Sequence, residues 1–228
     1  MTRCRTKAKI AEIFESIQGE GIYAGVKQVF VRFFGCNLSC DFCDTKLSHY
    51  DKYSSLDLFN KIRTAHKDFH SLCFTGGEPL LQKDFLKEIL RLAKNDGYST
   101  YLETNGTLAD EFFEVKDDVD IVAMDIKLPS STKDKNRWHE HRKFLSVARG
   151  KDIFIKMVIC ESTKKKDLKD ALKVISEINP NIPLVLQPNS NEYSKKLLKK
   201  IIDLQQFCLD HLSDVRIMPQ LHKMMGVK

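Results

Sequence analysis

Three cysteines fall within the eight residues Cys36-Asn-Leu-Ser-Cys40-Asp-Phe-Cys43. Thiolates are ligands for soft metals and iron–sulfur clusters, and three at this spacing can converge on one inorganic centre. The number is informative. A 4Fe-4S cubane has four irons, so three protein thiolates leave one iron open to a non-protein ligand. An open iron suits a cofactor that can offer it an amino and a carboxylate group, as S-adenosylmethionine (SAM) can. The competing reading is a structural zinc site, which usually takes four ligands and pairs of the C-x2-C type. His49 could serve as a fourth ligand. The spacing favours the cluster.

Other stretches carry residues with chemical potential. Thr75-Gly-Gly-Glu-Pro79 is glycine-rich but lacks the spacing of a dinucleotide or phosphate-binding fingerprint. Glycines at a strand end expose backbone groups and let a ligand approach closely. Asn-Gly within Glu103-Thr-Asn-Gly106 is also an ordinary turn signal. Gln18 and Glu20 offer hydrogen bonds to the edge of a heterocycle, and Arg32 can pair bidentately with a carboxylate.

The cysteine motif, with Phe42 as its aromatic residue, resembles the signature of the radical SAM superfamily. Ser16-Ile-Gln-Gly-Glu-Gly21, Cys43-Asp-Thr45 and Pro219-Gln-Leu-His-Lys223 narrow the resemblance to the 7-carboxy-7-deazaguanine synthase family. These motifs run from about Glu12 to Val227, nearly the whole chain. The resemblance implies that Cys36, Cys40 and Cys43 hold a 4Fe-4S cluster and Thr45 a Mg²⁺ ion. It implies SAM contacts from Gly76, Gly77, Glu78, Glu103 and Asn105, with Lys127 and Gln187 as further ones, while Asp125 is read as structural. Ile17, Gln18, Gly19, Glu20, Arg32, Thr75, Gln220 and His222 are the expected pterin contacts.

The implied reaction converts 6-carboxy-5,6,7,8-tetrahydropterin to 7-carboxy-7-deazaguanine and ammonia, through a 5′-deoxyadenosyl radical made from SAM. A homodimer and an electron donor such as flavodoxin come with the same resemblance. A radical SAM activase working on a partner protein would share the cysteines and the glycine turn. It would have no use for Gln18, Glu20 or the Pro-Gln-x-His-Lys segment.

The elements that must position these residues alternate. β-rich runs are expected at Lys9–Glu15, Gln28–Phe34, Ser71–Thr75, Ser99–Glu103, Asp120–Lys127, Asp152–Ile159, Pro183–Gln187 and Asp214–Met218. Helical spacing of apolar residues marks Asp84–Lys94, Asp167–Ile178 and Tyr193–Leu212. Lys133–Arg142 reads as a surface loop entering a helix near Trp138. Strand–helix alternation predicts parallel strands with helical crossovers, hence an α/β fold. A full eight-unit barrel needs ~250 residues. At 228 residues, an incomplete (β/α)6-type parallel barrel of the radical SAM type is expected. The candidate residues then gather at the C-terminal rim of the strands, where such barrels assemble their sites.

Residues 1–228 are expected to form one domain, with a C-terminal tail closing the rim. There Leu221, Met224 and Met225 pack down and Gln220 or His222 points inward. Hydrophobic residues make up 42% and charged residues 30%, as in ordinary globular chains. No apolar run reaches the ~20 residues of a membrane span, so no membrane is expected as a partner. The basic N-terminus has no apolar signal region after it, and the chain is expected to be cytoplasmic. Seven cysteines, three of them clustered, speak for metal chemistry in a reducing compartment rather than for disulfides. Cys73, Cys160 and Cys208 sit in apolar or helical surroundings and read as small hydrophobes, while Cys4 belongs to the terminus. The net charge of +6 comes largely from lysines on amphipathic helix faces, so direct nucleic-acid binding is not expected.

Replacing Cys36, Cys40 or Cys43 by Ala is expected to remove the visible cluster absorbance and all SAM cleavage, whereas Cys160→Ser leaves both in place. SAM cleavage by a variant lacking all three cysteines would sink the assignment.

Overall fold

A strand shows alternate side chains to opposite faces, and a strand covered by helices on one face must be apolar at every second position. β2 (Lys27–Phe33) obeys this rule. Val29, Val31 and Phe33 are fully buried in the large core, while Gln28, Phe30 and Arg32 take the other face. The computed structural model of the protein describes residues 6–43, 45 and 47–228, so Cys4 lies outside it. The remaining strands are β1 (Lys7–Ile17), β3 (Asp51–Ser54), β4 (Ser71–Gly76), β5 (Thr100–Thr104), β6 (Ile121–Asp125), β7 (Asp152–Ile159), β8 (Leu184–Pro188) and β9 (Val215–Ile217). They form one sheet in the order β3-β1-β2-β4-β5-β6-β7-β8-β9.

From β2 to β9 every neighbouring pair is parallel. The crossovers are α1 (Ser55–Ala65), α2 (Lys83–Asn95), α3 (Ala109–Val115), α5 (Trp138–Val147) preceded by the short α4 (Pro129–Thr132), α6 (Lys165–Ile178) and α7 (Lys195–Leu209). The chain ends in α8 (Leu221–Met225). Six strand–helix units followed by β9 make an incomplete barrel, and among the described residues its two outer strands, β3 and β9, do not pair with each other.

The first strand departs from the expected parallel pattern. β1 runs antiparallel to β2 and to β3, because residues 18–26 between β1 and β2 are too few for a crossover helix. β3 and α1 were not expected from the periodicity. Asp51–Ser54 is a short, largely exposed run whose strand geometry comes from pairing with Lys7–Ile10. Its last residue caps α1, Ser54 Oγ accepting from the backbone N–H of Asp57. Helix α3, only seven residues long, gives little periodicity to read. By contrast α2 buries Phe85, Leu86, Ile89, Leu90 and Ala93, the face its spacing predicts. Cys73, Cys160 and Cys208 are all buried.

The inward faces are arranged in two layers. Phe30, Cys73, Tyr101, Ile121, Phe154 and Val185 form one apolar cluster that floors the barrel. Two residues further along the same strands stand Arg32, Thr75, Glu103, Lys156 and Gln187, with Asp125 four residues past Ile121. Strand register sets Arg32 opposite Thr75 and Asp125 opposite Lys156, while Glu103 stands opposite Ala123 and Gln187 opposite Val158.

Candidate active site

A cavity of about 740 Å³ opens above the apolar floor and is lined from both ends of the sheet. Its outer wall is the loop after β2. Cys36, Cys40 and Cys43 all line it, as does Thr45. The loop is shaped by its own backbone, Leu38 N–H pointing to Cys36 Sγ at 3.4 Å and Cys43 N–H donating to Cys40 O at 3.1 Å. Asp41 fastens it to the C-terminal end of α4, accepting from Lys133 Nζ at 2.6 Å while its N–H donates to Thr132 O at 3.1 Å. Lys127 Nζ lies 5.3 Å from the centre of the Phe42 ring.

The three thiols share a wall without being gathered into a ligand cage, and among the described residues no three His, Cys, Asp or Glu side chains are placed to hold an ion. His49 is exposed and does not line the cavity, so it supplies no fourth donor there. Three soft donors beside open space fit a cluster with one exposed iron better than a closed tetrahedral zinc site. Burial pushes the Cys40 thiol up to about 11, against the pull of the Lys127 ammonium, so ligation must displace a proton.

The turn after β4 is fastened to the same loop. Gly77 N–H donates to Phe33 O at 3.0 Å and Glu78 N–H to Gly35 O at 2.9 Å. A Cβ on Gly77 would lie 1.9 Å from Gly35 O, so only glycine allows this approach. Gly76 and Gly77 line the cavity; Glu78 does not. Its carboxylate is wholly buried behind the wall, accepting from Leu80 N–H (3.1 Å), Thr104 Oγ1 (3.0 Å) and Asn105 N–H (2.8 Å). The Glu78 side chain thus ties the β4 turn to the β5 turn, and the contact implied for this motif is one of its backbone. Asn105 passes that tie forward, donating from Nδ2 to Asn37 Oδ1 at 2.9 Å within the cysteine loop.

The inner half of the cavity is a hydrogen-bonded polar layer. Gln18, nearly fully buried, donates to both Gln28 Oε1 (3.0 Å) and Glu103 Oε1 (2.9 Å). Thr75 Oγ1 donates to Glu103 Oε2 at 2.6 Å. Glu20 pairs with the Lys156 ammonium and accepts from Gln187 Nε2 at 3.1 Å. Asp125 Oδ2 takes Lys127 Nζ at 2.7 Å and Lys156 Nζ at 3.3 Å. Arg32 Nε donates to Glu12 Oε2 at 3.0 Å, with its guanidinium 5.3 Å from the Phe14 ring centre. Two buried acceptors on cavity-lining residues, Asp125 Oδ1 and Gln187 Oε1, have no hydrogen-bond partner among the described residues. A ligand rich in hydroxyl or N–H groups fits them.

No motif contains Lys156, and Asp125 reads as structural from the sequence. The signal for Lys156 was present, a lysine inside the apolar run Ile153-Phe-Ile-Lys-Met-Val-Ile159. Asn37 was also missed, and nothing local distinguishes it.

The end of the chain comes back over the rim. Leu221 N–H donates to Gly19 O at 2.8 Å and Gln220 Nε2 to Glu20 Oε1 at 2.5 Å. His222 lies so close to Gly19 that a Cβ there would sit 1.9 Å from Nδ1. Lys228 pairs with Glu12 at 2.8 Å, and its carbonyl oxygen accepts from Ser16 Oγ at 2.6 Å. Ile17, Gln18, Gly19, Glu20, Arg32, Thr75, Gln220 and His222 all line the one cavity, as do Glu103, Asn105, Lys127 and Gln187. The expected packing of the tail methionines does not occur, since Met224 is 72% and Met225 57% exposed. A helix of five residues has room for one inward face; His222 and Lys223 line the cavity from it, and Gln220, which precedes it as the N-cap, joins them.

Residues 30–154 match the radical SAM superfamily. The chain is 37% identical to the 7-carboxy-7-deazaguanine synthase of Geobacter sulfurreducens, over 96% of this chain and 97% of that protein. It is 38% identical to the enzyme of the same name from Archaeoglobus fulgidus, over 97% of this chain and 100% of the other. The crystal structure of QueE from Escherichia coli superposes with a TM-score of 0.69 at 21% identity, covering 95% of each chain, a likeness of fold.

Burial raises the Glu78 carboxyl from the usual 4.5 to about 7, against the lowering effect of the Asn105, Leu80 and Thr104 donors. Since the unfolded chain ionises first, Glu78 favours the folded state most below pH 4.5, and this advantage is lost as pH rises through about 7. The loss amounts to about 3 kcal/mol. Unfolding of the cluster-free protein and of Glu78→Gln across this range should therefore give curves that differ in slope, the wild type falling more with rising pH. Parallel curves would show that Glu78 is already ionised in the fold.

Proposed function

On the premise that the chain belongs to the 7-carboxy-7-deazaguanine synthase family of radical SAM enzymes, we propose that the single cavity holds SAM in its outer half and the pterin in its inner half. The reaction converts 6-carboxy-5,6,7,8-tetrahydropterin to 7-carboxy-7-deazaguanine and ammonia. Cys36, Cys40 and Cys43 hold the 4Fe-4S cluster. When bound and reduced, cluster and SAM together supply a 5′-deoxyadenosyl radical able to abstract hydrogen from carbon. The observation that carries the reading is the meeting, in one cavity, of three thiols with the polar layer of Gln18, Glu20, Arg32, Thr75 and Gln220.

The chain's own residues bind, orient and exclude water. Gly76 and Gly77 bring backbone against the cavity next to the cysteine loop, where the amino acid part of SAM is to lie. Asn105 borders the same half, and Glu103, Lys127 and Gln187 reach toward it from the polar layer where the two halves meet. Asp125 Oδ1 and Gln187 Oε1 are acceptors ready for hydroxyl or N–H donors. In the inner half, Gln18 and Glu20 present an amide and a carboxylate to the edge of a heterocycle. Arg32 is the group for the substrate carboxylate, and the offer of a second carboxylate would compete with its bond to Glu12. The parallel Phe14 and Phe30 rings, 5.0 Å apart, form an apolar wall beside it. Gln220 and His222 close the rim from the tail, limiting access of water to a radical. Thr45 offers one hydroxyl for Mg²⁺, which keeps its remaining oxygen ligands from water and substrate.

The enzyme needs a reductant, and a flavodoxin-type donor is proposed for that role. A homodimer and a cytoplasmic location complete the proposal. The location is supported by Cys36, Cys40, Cys43, Cys73, Cys160 and Cys208 all being free thiols. No helix among the described residues is long and apolar enough to cross a membrane.

Anaerobically reconstituted protein given SAM, reductant and the tetrahydropterin should produce the deazaguanine, detected by mass. Truncation after Met218 should preserve the cluster and uncoupled SAM cleavage while losing pterin turnover. Absence of product from the full chain would refute the substrate, and full turnover by the truncated chain would refute closure by the tail. In the same assay Thr45→Val, which keeps the volume, should weaken or shift the dependence on magnesium; an unchanged dependence would leave Thr45 a turn residue.

A further inference from the structure

Between the two halves of the cavity stands one cation that no motif accounts for. Lys156 projects from β7 at an inward position between Phe154 and Val158, above the apolar floor. Its ammonium contacts two carboxylates at once, Glu20 as a close ion pair and Asp125 Oδ2 at 3.3 Å. Each carboxylate has a further commitment, Glu20 on its other oxygen and Asp125 on the same one. Glu20 Oε1 accepts from Gln220 of the tail at 2.5 Å, and Asp125 Oδ2 accepts from Lys127 at 2.7 Å. Lys127 in turn lies over Phe42 of the cysteine loop. Charges of alternating sign therefore run unbroken from the tail to the loop that carries the cysteines, and Lys156 is the member both halves share.

A buried cation of this kind is not a proton carrier. Burial works against the charged form of Lys156, but Glu20 and Asp125 outweigh it and hold the group protonated well above the ordinary lysine range. What the ammonium can do is divide its hydrogen bonds. It has three donors on one nitrogen, and a bond strengthened toward one carboxylate is weakened toward the other.

Resting on the proposed assignment of the two halves, we propose that Lys156 is a positioning residue that couples occupancy of the pterin half to affinity for SAM. N–H donors of a pterin arriving at Glu20 take up hydrogen-bonding capacity that Lys156 and Gln220 otherwise use. The ammonium then turns more fully to Asp125. Held by two ammonium groups, Asp125 is fixed with its buried Oδ1, unpartnered among the described residues, left for a donor on SAM. The shared ammonium is the element with two arrangements, and each ligand favours the same one. By linkage the effect is reciprocal, SAM strengthening pterin binding by the factor by which pterin strengthens SAM binding.

The test uses the full chain loaded with cluster but left unreduced, so that SAM binds without being cleaved. SAM is titrated calorimetrically with and without saturating 6-carboxy-5,6,7,8-tetrahydropterin. For the wild type the pterin should tighten SAM about fivefold or more. Lys156→Met should bring that ratio to about one, and Lys156→Arg should restore most of it. Removing one partner of a buried ion pair can compromise folding, so Asp125→Asn approaches the same link from its other carboxylate and should also abolish the ratio. Melting curves establish which variants are folded. A wild-type ratio retained in folded Lys156→Met, or in Asp125→Asn, overturns the inference, as does a wild-type ratio of one. If the wild type makes deazaguanine while the ratio survives these changes, the role of Lys156 alone has failed. If the wild type binds no pterin, the substrate reading has failed and takes this inference with it.

Discussion

The two-residue repeat of the parallel strands is the constraint on which the rest of the molecule depends. Outward positions such as Val29, Val31 and Phe33 must be apolar because α1 and α2 cover them, which leaves only the alternate positions free to carry chemistry. On each of four strands, two residues carry the inward face from the apolar floor, Phe30, Cys73, Tyr101 and Phe154, to a polar group, Arg32, Thr75, Glu103 and Lys156, and register sets Arg32 beside Thr75 and Lys156 beside Asp125. A slip of one residue in any strand would turn its charge into the helix layer. The core and the site therefore share one specification.

A buried layer of charges is stable only if each has a partner, since an isolated buried charge costs several kcal/mol. Glu20, Lys156, Asp125 and Lys127 meet this demand by alternating in sign, and Glu103 meets it with the neutral donors Gln18 and Thr75. Such an arrangement contributes little net stability by comparison with apolar packing. What it provides is a cavity whose polar groups are held in place before a ligand arrives, with Asp125 Oδ1 and Gln187 Oε1 left for the ligand itself.

The loops depend on a different device. Cys36 and Cys43 are exposed, and their segment lies outside the helices and strands. It is fastened from behind, through Gly77, Glu78 and Asn105, to the ends of β4 and β5. Glu78 belongs to this fastening although it occupies a position within the glycine motif. A motif records which residue types recur together, whereas the direction of a side chain depends on the backbone around it.

Much of the fold was legible because the signals were local. Alternating apolar runs marked eight of the strands, β7 to its limits, and helical spacing marked α2, α6 and α7. The three cysteines and their spacing marked candidate thiolate ligands without any knowledge of the fold. The short strand β3 was not legible, because its geometry comes from pairing with β1, nor was the outward turn of Met224 and Met225. The role of Lys156 was out of reach for the same reason. Its neighbours in sequence are apolar, and its partners Glu20 and Asp125 arrive from elsewhere in the chain. The amino-acid sequence by itself determined the period of each element and the types of ligand atom, because both follow from adjacent residues. Only the tertiary structure decided which charges face one another, because that depends on strand register and on contacts between residues as far apart as Glu20 and Gln220.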